Sequence, residues 1–168
     1  MADDAGAVWP LVQELATSYV PERAAFDASF PSLLAAADAL VVVAEVGDEV
    51  VGYLVAHHHG TLYANAPVVW VGEVVVDARA RRRGVGRLLL GAAEGWAGEV
   101  GAAYVSLATR RAADFYVALG YEGSATFFRK PLGEPVDDPS PEHVENRDPA
   151  PSQGYGCRET AHETEETS

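Results

Sequence analysis

The run VVWVGEVVV at residues 68–76, handing over at 79–87 to RARRRGVGR and then to an apolar-striped segment, constrains this chain most. A near-continuous apolar run of that length is the mark of a strand buried on both faces, so it belongs at the centre of a sheet. Beyond it, Val85, Leu88, Leu89, Ala92, Ala93 and Trp96 recur at helical spacing. Gly91 and Gly95 each weaken that helix by about 1 kcal/mol relative to alanine, so tertiary packing must compensate. Between strand and helix stand five arginines together with Gly84 and Gly86. Glycine permits close backbone approach, and a new helix presents unpaired N–H groups and its positive dipole end. Those are the parts of a phosphate cradle.

Around this centre, Val8, Leu11, Val12, Leu15 and Tyr19 follow possible caps at Asp3 or Asp4 and predict a first helix stopped by Pro21. Residues 22–38 are rich in helix formers but contain Pro31, which predicts two short helices or one broken helix. The β-branched runs 40–46 and 50–59 flank Gly47-Asp48-Glu49 and predict an antiparallel hairpin. Residues 60–67 are expected to form a loop, 102–109 a strand, 110–119 a helix closed by a left-handed Gly120, and 121–130 a last strand or tight pair. One ordinary domain over residues 1–133 follows from the length, with residues 134–168 an acidic, disordered tail poor in large apolar groups.

Charge narrows the function. The chain carries a formal net charge of -13, unevenly placed: residues 1–133 hold 15 acids against 10 Lys plus Arg, and residues 134–168 hold 10 against 2. A mildly acidic body with one basic turn argues for a single small anion site and against nucleic acid. The lone cysteine, Cys157, allows no internal disulfide and reads as an incidental thiol. With no signal segment and no apolar run of membrane-spanning length, a cytoplasmic protein that does not engage a membrane is expected. His57 and His59 share a strand face, yet a metal needs further ligands and none has convincing spacing, so no metal is expected. Lining a ligand cleft and simply ending a strand both stay open for these histidines.

Three phosphate cradles compete for the turn. The Walker type needs a lysine in GxxxxGK[ST], and the only lysine is Lys130. The dinucleotide fingerprint GxGxxG fails because Leu89 occupies the third glycine position. The third is RxxGxG, here Arg81-Arg82-Arg83-Gly84-Val85-Gly86, which resembles the coenzyme A pyrophosphate loop of the GNAT superfamily of N-acetyltransferases. A second stretch, ATRRAADFYVALGY at 108–121, resembles that family's later signature, an alanine followed by an aromatic-Tyr pair and Gly-aromatic. The likeness covers roughly residues 3–132.

The resemblance implies an α/β (α+β) fold of acyl-CoA N-acyltransferase type, with a mixed, mostly antiparallel central sheet flanked by helices. Family members usually begin with a strand before the first helix, so here that first strand is expected to be missing. It implies acetyl-CoA as co-substrate, a small-molecule or protein amine as acceptor, and a monomer or homodimer. Arg81, Arg82, Arg83, Gly84, Val85, Gly86 and Arg87 are expected at the pyrophosphate, with Arg81 and Arg83 favoured over Arg79. The backbone of Val74, Val75 and Val76 is expected beside the pantetheine arm, with an amide facing the developing oxyanion. Thr109 stands where many members have asparagine and is expected to touch the cofactor or acid. Acetyl transfer to an amine with a pKa near 10.4 needs a base, and Glu73, set in mid-strand where desolvation raises a carboxyl, is the candidate. Tyr116 is expected to protonate the departing thiolate. The alternative is a non-catalytic acyl-CoA-binding regulatory module, which would need neither Glu73 nor Tyr116.

Overall fold

The computed structural model describes residues 4–16, 19–130 and 132. The proposed tail at 134–168, with Cys157, lies outside the described residues, as does the possible cap Asp3. The element order is α1 (Ala5–Leu15), α2 (Arg23–Ala35), β1 (Ala39–Val46), β2 (Glu49–His59), β3 (Val68–Val76), a 3-10 turn (Ala78–Ala80), α3 (Val85–Glu99), β4 (Val105–Leu107) and α4 (Ala113–Val117). Among the described residues no strand precedes α1, and no helix is long and apolar enough to cross a membrane.

The four strands lie in the order β1-β2-β3-β4, antiparallel except for the parallel pair β3 and β4. The β1–β2 hairpin turns where expected, with Gly47 at φ 64°, a left-handed conformation that suits glycine at the first turn position. Both inner strands read as apolar runs because each face of the sheet has a cover. On one face α3 buries Leu89, Leu90 and Ala93 against Leu54, Val69 and Val71. On the other, Val8 and Leu11 of α1 and Phe30 of α2 pack on Val41, Tyr53, Val55 and Val75. Trp9, Phe26 and Phe30 form an aromatic row, with ring centroids 5.2 and 5.3 Å apart, that joins α1 to α2. Arg23 lies over the Trp9 and Phe26 rings.

Several elements differ from their sequence expectation, each for a local reason. Helix α1 ends at Leu15 rather than running to Tyr19, whose side chain is exposed and has no core to face. Helix α2 is continuous through Pro31. The proline removes one hydrogen bond to the Asp27 carbonyl, but Asp27 is exposed to water, and the Ser32 hydroxyl donates to the Ala28 carbonyl at 3.0 Å. In α3 the buried stripe is Val85, Leu89, Leu90, Ala93 and Ala97; Leu88 and Ala92 face solvent. Strand β4 holds three residues of the expected eight, because Ala103 bonds instead to the Pro67 carbonyl and the chain turns at Thr109 toward α4. Residues 121–130 pair with no strand. A strand must bury one of its alternating faces, whereas the neighbours Phe127 and Phe128 are 65% and 81% exposed.

Candidate active site

Two β-sheet irregularities build the site. The first is a bulge in β3: Val55 pairs with Glu73 but Ala56 pairs with Val71, so Gly72 is the extra residue. A bulge reverses the alternation of side chains. Val69 and Val71 therefore face α3, while Glu73 and Val75 face α1 and α2. The carboxylate of Glu73 accepts a 2.7 Å hydrogen bond from the Tyr53 hydroxyl on β2. Tyr53 itself is 1% exposed, and burial together with the Glu73 charge pushes its phenol far above the ordinary value, so it stays a donor. Glu73 was expected to be desolvated; instead it is exposed, because it opens onto a cleft between α2 and the sheet.

The second irregularity is the parting of β3 from β4, which pair only from Val69 to Val71. The Asp77 amide donates to the Val51 carbonyl at 2.8 Å, which continues the β2–β3 ladder in which Val75 and Glu73 turn their peptide groups toward β2. Val74 and Val76 accordingly turn theirs toward the side that β4 has left. Of the expected triplet, then, Val74 and Val76 offer backbone groups at the open edge, whereas Val75 gives its backbone to the sheet and its side chain to the core. The Val76 carbonyl is taken by the Arg81 Nε at 3.0 Å.

Past Val76 the chain makes the basic turn. Asp77 holds it: the carboxylate accepts from the Arg79 amide at 2.8 Å and from the Arg79 guanidinium, which also reaches Glu49. These hydrogen bonds lower the Asp77 pKa to about 2. Arg79 is thus a structural clamp. Arg82 and Gly84 both take left-handed conformations, at φ 60° and 86°. They wrap the turn so that α3 begins at Val85, and its first intrahelical bond runs from the Leu88 amide to the Gly84 carbonyl at 3.0 Å. The amides of Val85, Gly86 and Arg87 precede that bond and have no intrahelical acceptor. No acidic residue sits in the first turn of α3 to neutralise them. Arg82, Arg83 and Arg87 are exposed and form no ion pair with any described residue. Arg81 differs, since its guanidinium pairs with Glu14 of α1.

Tyr116 lies on the face opposite Glu73, in the core cluster with α3, and burial raises its phenol pKa. Its ring meets Phe115 and Tyr121 edge-on at 5.2 and 5.9 Å. Phe115 in turn covers Gly86, where an added Cβ would stand 3.0 Å from its Cζ. Gly86 therefore serves the contact between α3 and α4 as well as the turn. The hydroxyl of Thr109 accepts from the amides of Arg111 and Ala112, so it shapes the entry to α4. His57 lines the cleft with Glu73, His58 packs on Trp96 on the other face, and no metal-binding group exists among the described residues. Tyr53 and the bulge escaped the reading of the sequence, although a glycine inside a strand, here Gly72, signals a bulge.

The sequence profile of the acetyltransferase (GNAT) family matches residues 8–121. The chain belongs to that family. It is an acyltransferase by that membership, and its fold agrees with solved members and relatives. Glucosamine-6-phosphate N-acetyltransferase from Arabidopsis thaliana is 17% identical with a TM-score of 0.71, over 79% of this chain and 95% of that one. An acetyltransferase from Trypanosoma brucei is 20% identical at 0.67, over 79% and 95%. An aminoglycoside N-acetyltransferase solved with CoA is 22% identical at 0.66, over 76% and 89%. No curated protein matches the chain. In this GNAT chain the matched segment takes in Glu73, the arginine turn and Tyr116.

Proposed function

We propose that this GNAT chain transfers an acetyl group from acetyl-CoA to a primary amine. The observation that carries the reading is the open edge of β3 beyond Val71, which lies between Glu73 on one face and Tyr116 on the other and runs into a turn where the Val85, Gly86 and Arg87 amides have no intrahelical acceptor and Arg82, Arg83 and Arg87 form no ion pair with a described residue. The residues fit a CoA-type molecule: the amides of Val85, Gly86 and Arg87 with Arg82 and Arg83 suit a diphosphate, and the peptide groups of Val74 suit an extended amide-bearing arm. When bound, acetyl-CoA supplies an activated acyl group as a thioester. That a neighbouring fold was solved with CoA supports the same reading.

Glu73 takes the proton of the incoming ammonium, directly or through water, and faces the cleft through which an amine arrives. Tyr53 holds that carboxylate in place and, being buried, stays protonated while it does so. An amide on the open edge of β3, with Val74 the best placed, donates to the oxygen that becomes negative. Tyr116, kept protonated by burial, delivers a proton toward the leaving sulfur. Arg81 bridges Val76 and Glu14 and so holds the edge of the site rather than the diphosphate. A binding module without chemistry would have no use for a carboxylate held by a buried tyrosine at the cleft floor.

Thiol release from acetyl-CoA in the presence of amines tests this. Glu73→Gln and Tyr116→Phe are each expected to lower kcat about 100-fold or more while CoA affinity stays within a few-fold of wild type. Equal turnover in both variants would overturn the two roles.

A further inference from the structure

We infer that the acceptor is a monoamine with an apolar, aryl-sized body, and this inference rests on the acetyl-transfer reading above. The cleft in front of Glu73 has two parts. The inner part is a cavity of 220 Å³ walled by apolar side chains of α1, α2 and β2, among them Val12, Phe26, Leu33 and Val55. Its polar groups are few: Glu73 with its partner Tyr53, Ser29, and Glu22 at the rim. The outer part is wider, 580 Å³, and adds Ser32 and His57 beside the same Glu73 carboxylate. Among the described residues, no lysine or arginine lines either part.

Each property selects a feature of the ligand. Carboxylates without a competing cation favour an ammonium over a neutral or anionic head. Glu73 lines both parts, so an amine placed at it can send its substituent into the inner cavity. An apolar cavity of about 150 Å³ takes a benzene ring, so 220 Å³ accommodates one aryl ring with a short alkyl linker. A polycation such as a polyamine or an aminoglycoside would have to desolvate further ammonium groups against Val12, Phe26 and Leu33, and among the described residues lining the cavity only Glu22, besides Glu73, could receive one of them. An aryl ring gains from the same walls. Specificity in this reading comes from α2, whose residues 25–33 form one side of the cavity, and not from the turn that would hold CoA.

The test uses the full chain with acetyl-CoA and four acceptors: 2-phenylethylamine, tryptamine, spermidine and kanamycin. Calorimetry with CoA is run beside it, so that loss of CoA binding marks failure of the acetyl-transfer reading and not of the acceptor class. With CoA bound, kcat/KM for the two arylalkylamines is expected to exceed that for spermidine and kanamycin at least tenfold. Ala25, exposed at the cavity wall, provides the second arm: Ala25→Trp fills the space and is expected to raise KM for 2-phenylethylamine about tenfold with CoA affinity retained. Comparable or better rates with either polycation, no transfer to any acceptor by a chain that binds CoA, or an unchanged KM in Ala25→Trp would each overturn the inference.

Discussion

Glu73 and Tyr53 show how one residue's value depends on a partner twenty positions away. A phenol buried to 1% exposure needs an acceptor, and the carboxylate 2.7 Å away needs to be held, so the bond satisfies both. Hydrogen bonds to charged groups contribute about 1.5–3 kcal/mol. Tyr53→Phe keeps the ring and removes the donor, so kcat is expected to fall roughly tenfold, the smaller end of that range. Titration of CoA into the same variant should give wild-type affinity, since Tyr53 faces away from α3. A drop in CoA affinity matching the drop in kcat would contradict the positioning role. From the sequence, Glu73 was recognisable as a lone acid in an apolar run. Its exposure was not, because the bulge at Gly72 decides which face it takes.

Among the elements, the turn from β3 into α3 carries the densest set of constraints. Asp77 is its anchor, and its carboxyl sits at about 2, chiefly through hydrogen bonds from Arg79. A carboxyl depressed below its unfolded value near 3.9 contributes stability above that value and loses it as pH falls through the folded pKa. The turn should thus stay latched at pH 4 and release toward pH 2. An NMR titration of the Asp77 carboxyl with a midpoint near 4 would show the latch to be absent. Gly86 is the second constraint, and two effects of opposite sign meet there. Alanine improves a helix by up to about 1 kcal/mol, while a Cβ 3.0 Å from Phe115 forces that ring to shift at a cost of about 1–3 kcal/mol. Gly86→Ala is expected to move Tm by only a few degrees, yet to lower kcat severalfold through the displaced α4 and its Tyr116. Unchanged kcat would separate the loop from α4. The hairpin, β3 and α3 were legible because periodicity and turn glycines speak locally. The short β4, the continuous α2 and the unpaired residues 121–130 were not, because each depends on what other elements offer to pair with or to bury.

For the molecule as a whole, the sheet is covered on both faces and opened at one edge, and that opening is where family membership, cleft and basic turn converge. The fold class could be read from the order of elements and the two motifs across residues 3–132, and the basic turn from residues 79–87. The cleft in front of Glu73 could not, because its walls come from α1, α2 and β2, segments without a shared motif. The central claim is that the turn at residues 82–87 holds the diphosphate of coenzyme A. Isothermal titration of coenzyme A into the folded full chain measures it directly: a saturable, one-to-one isotherm is expected, weakened about tenfold or more when Arg82 and Arg83 are both replaced by alanine. A folded chain that gives no saturable heat with millimolar coenzyme A would contradict it.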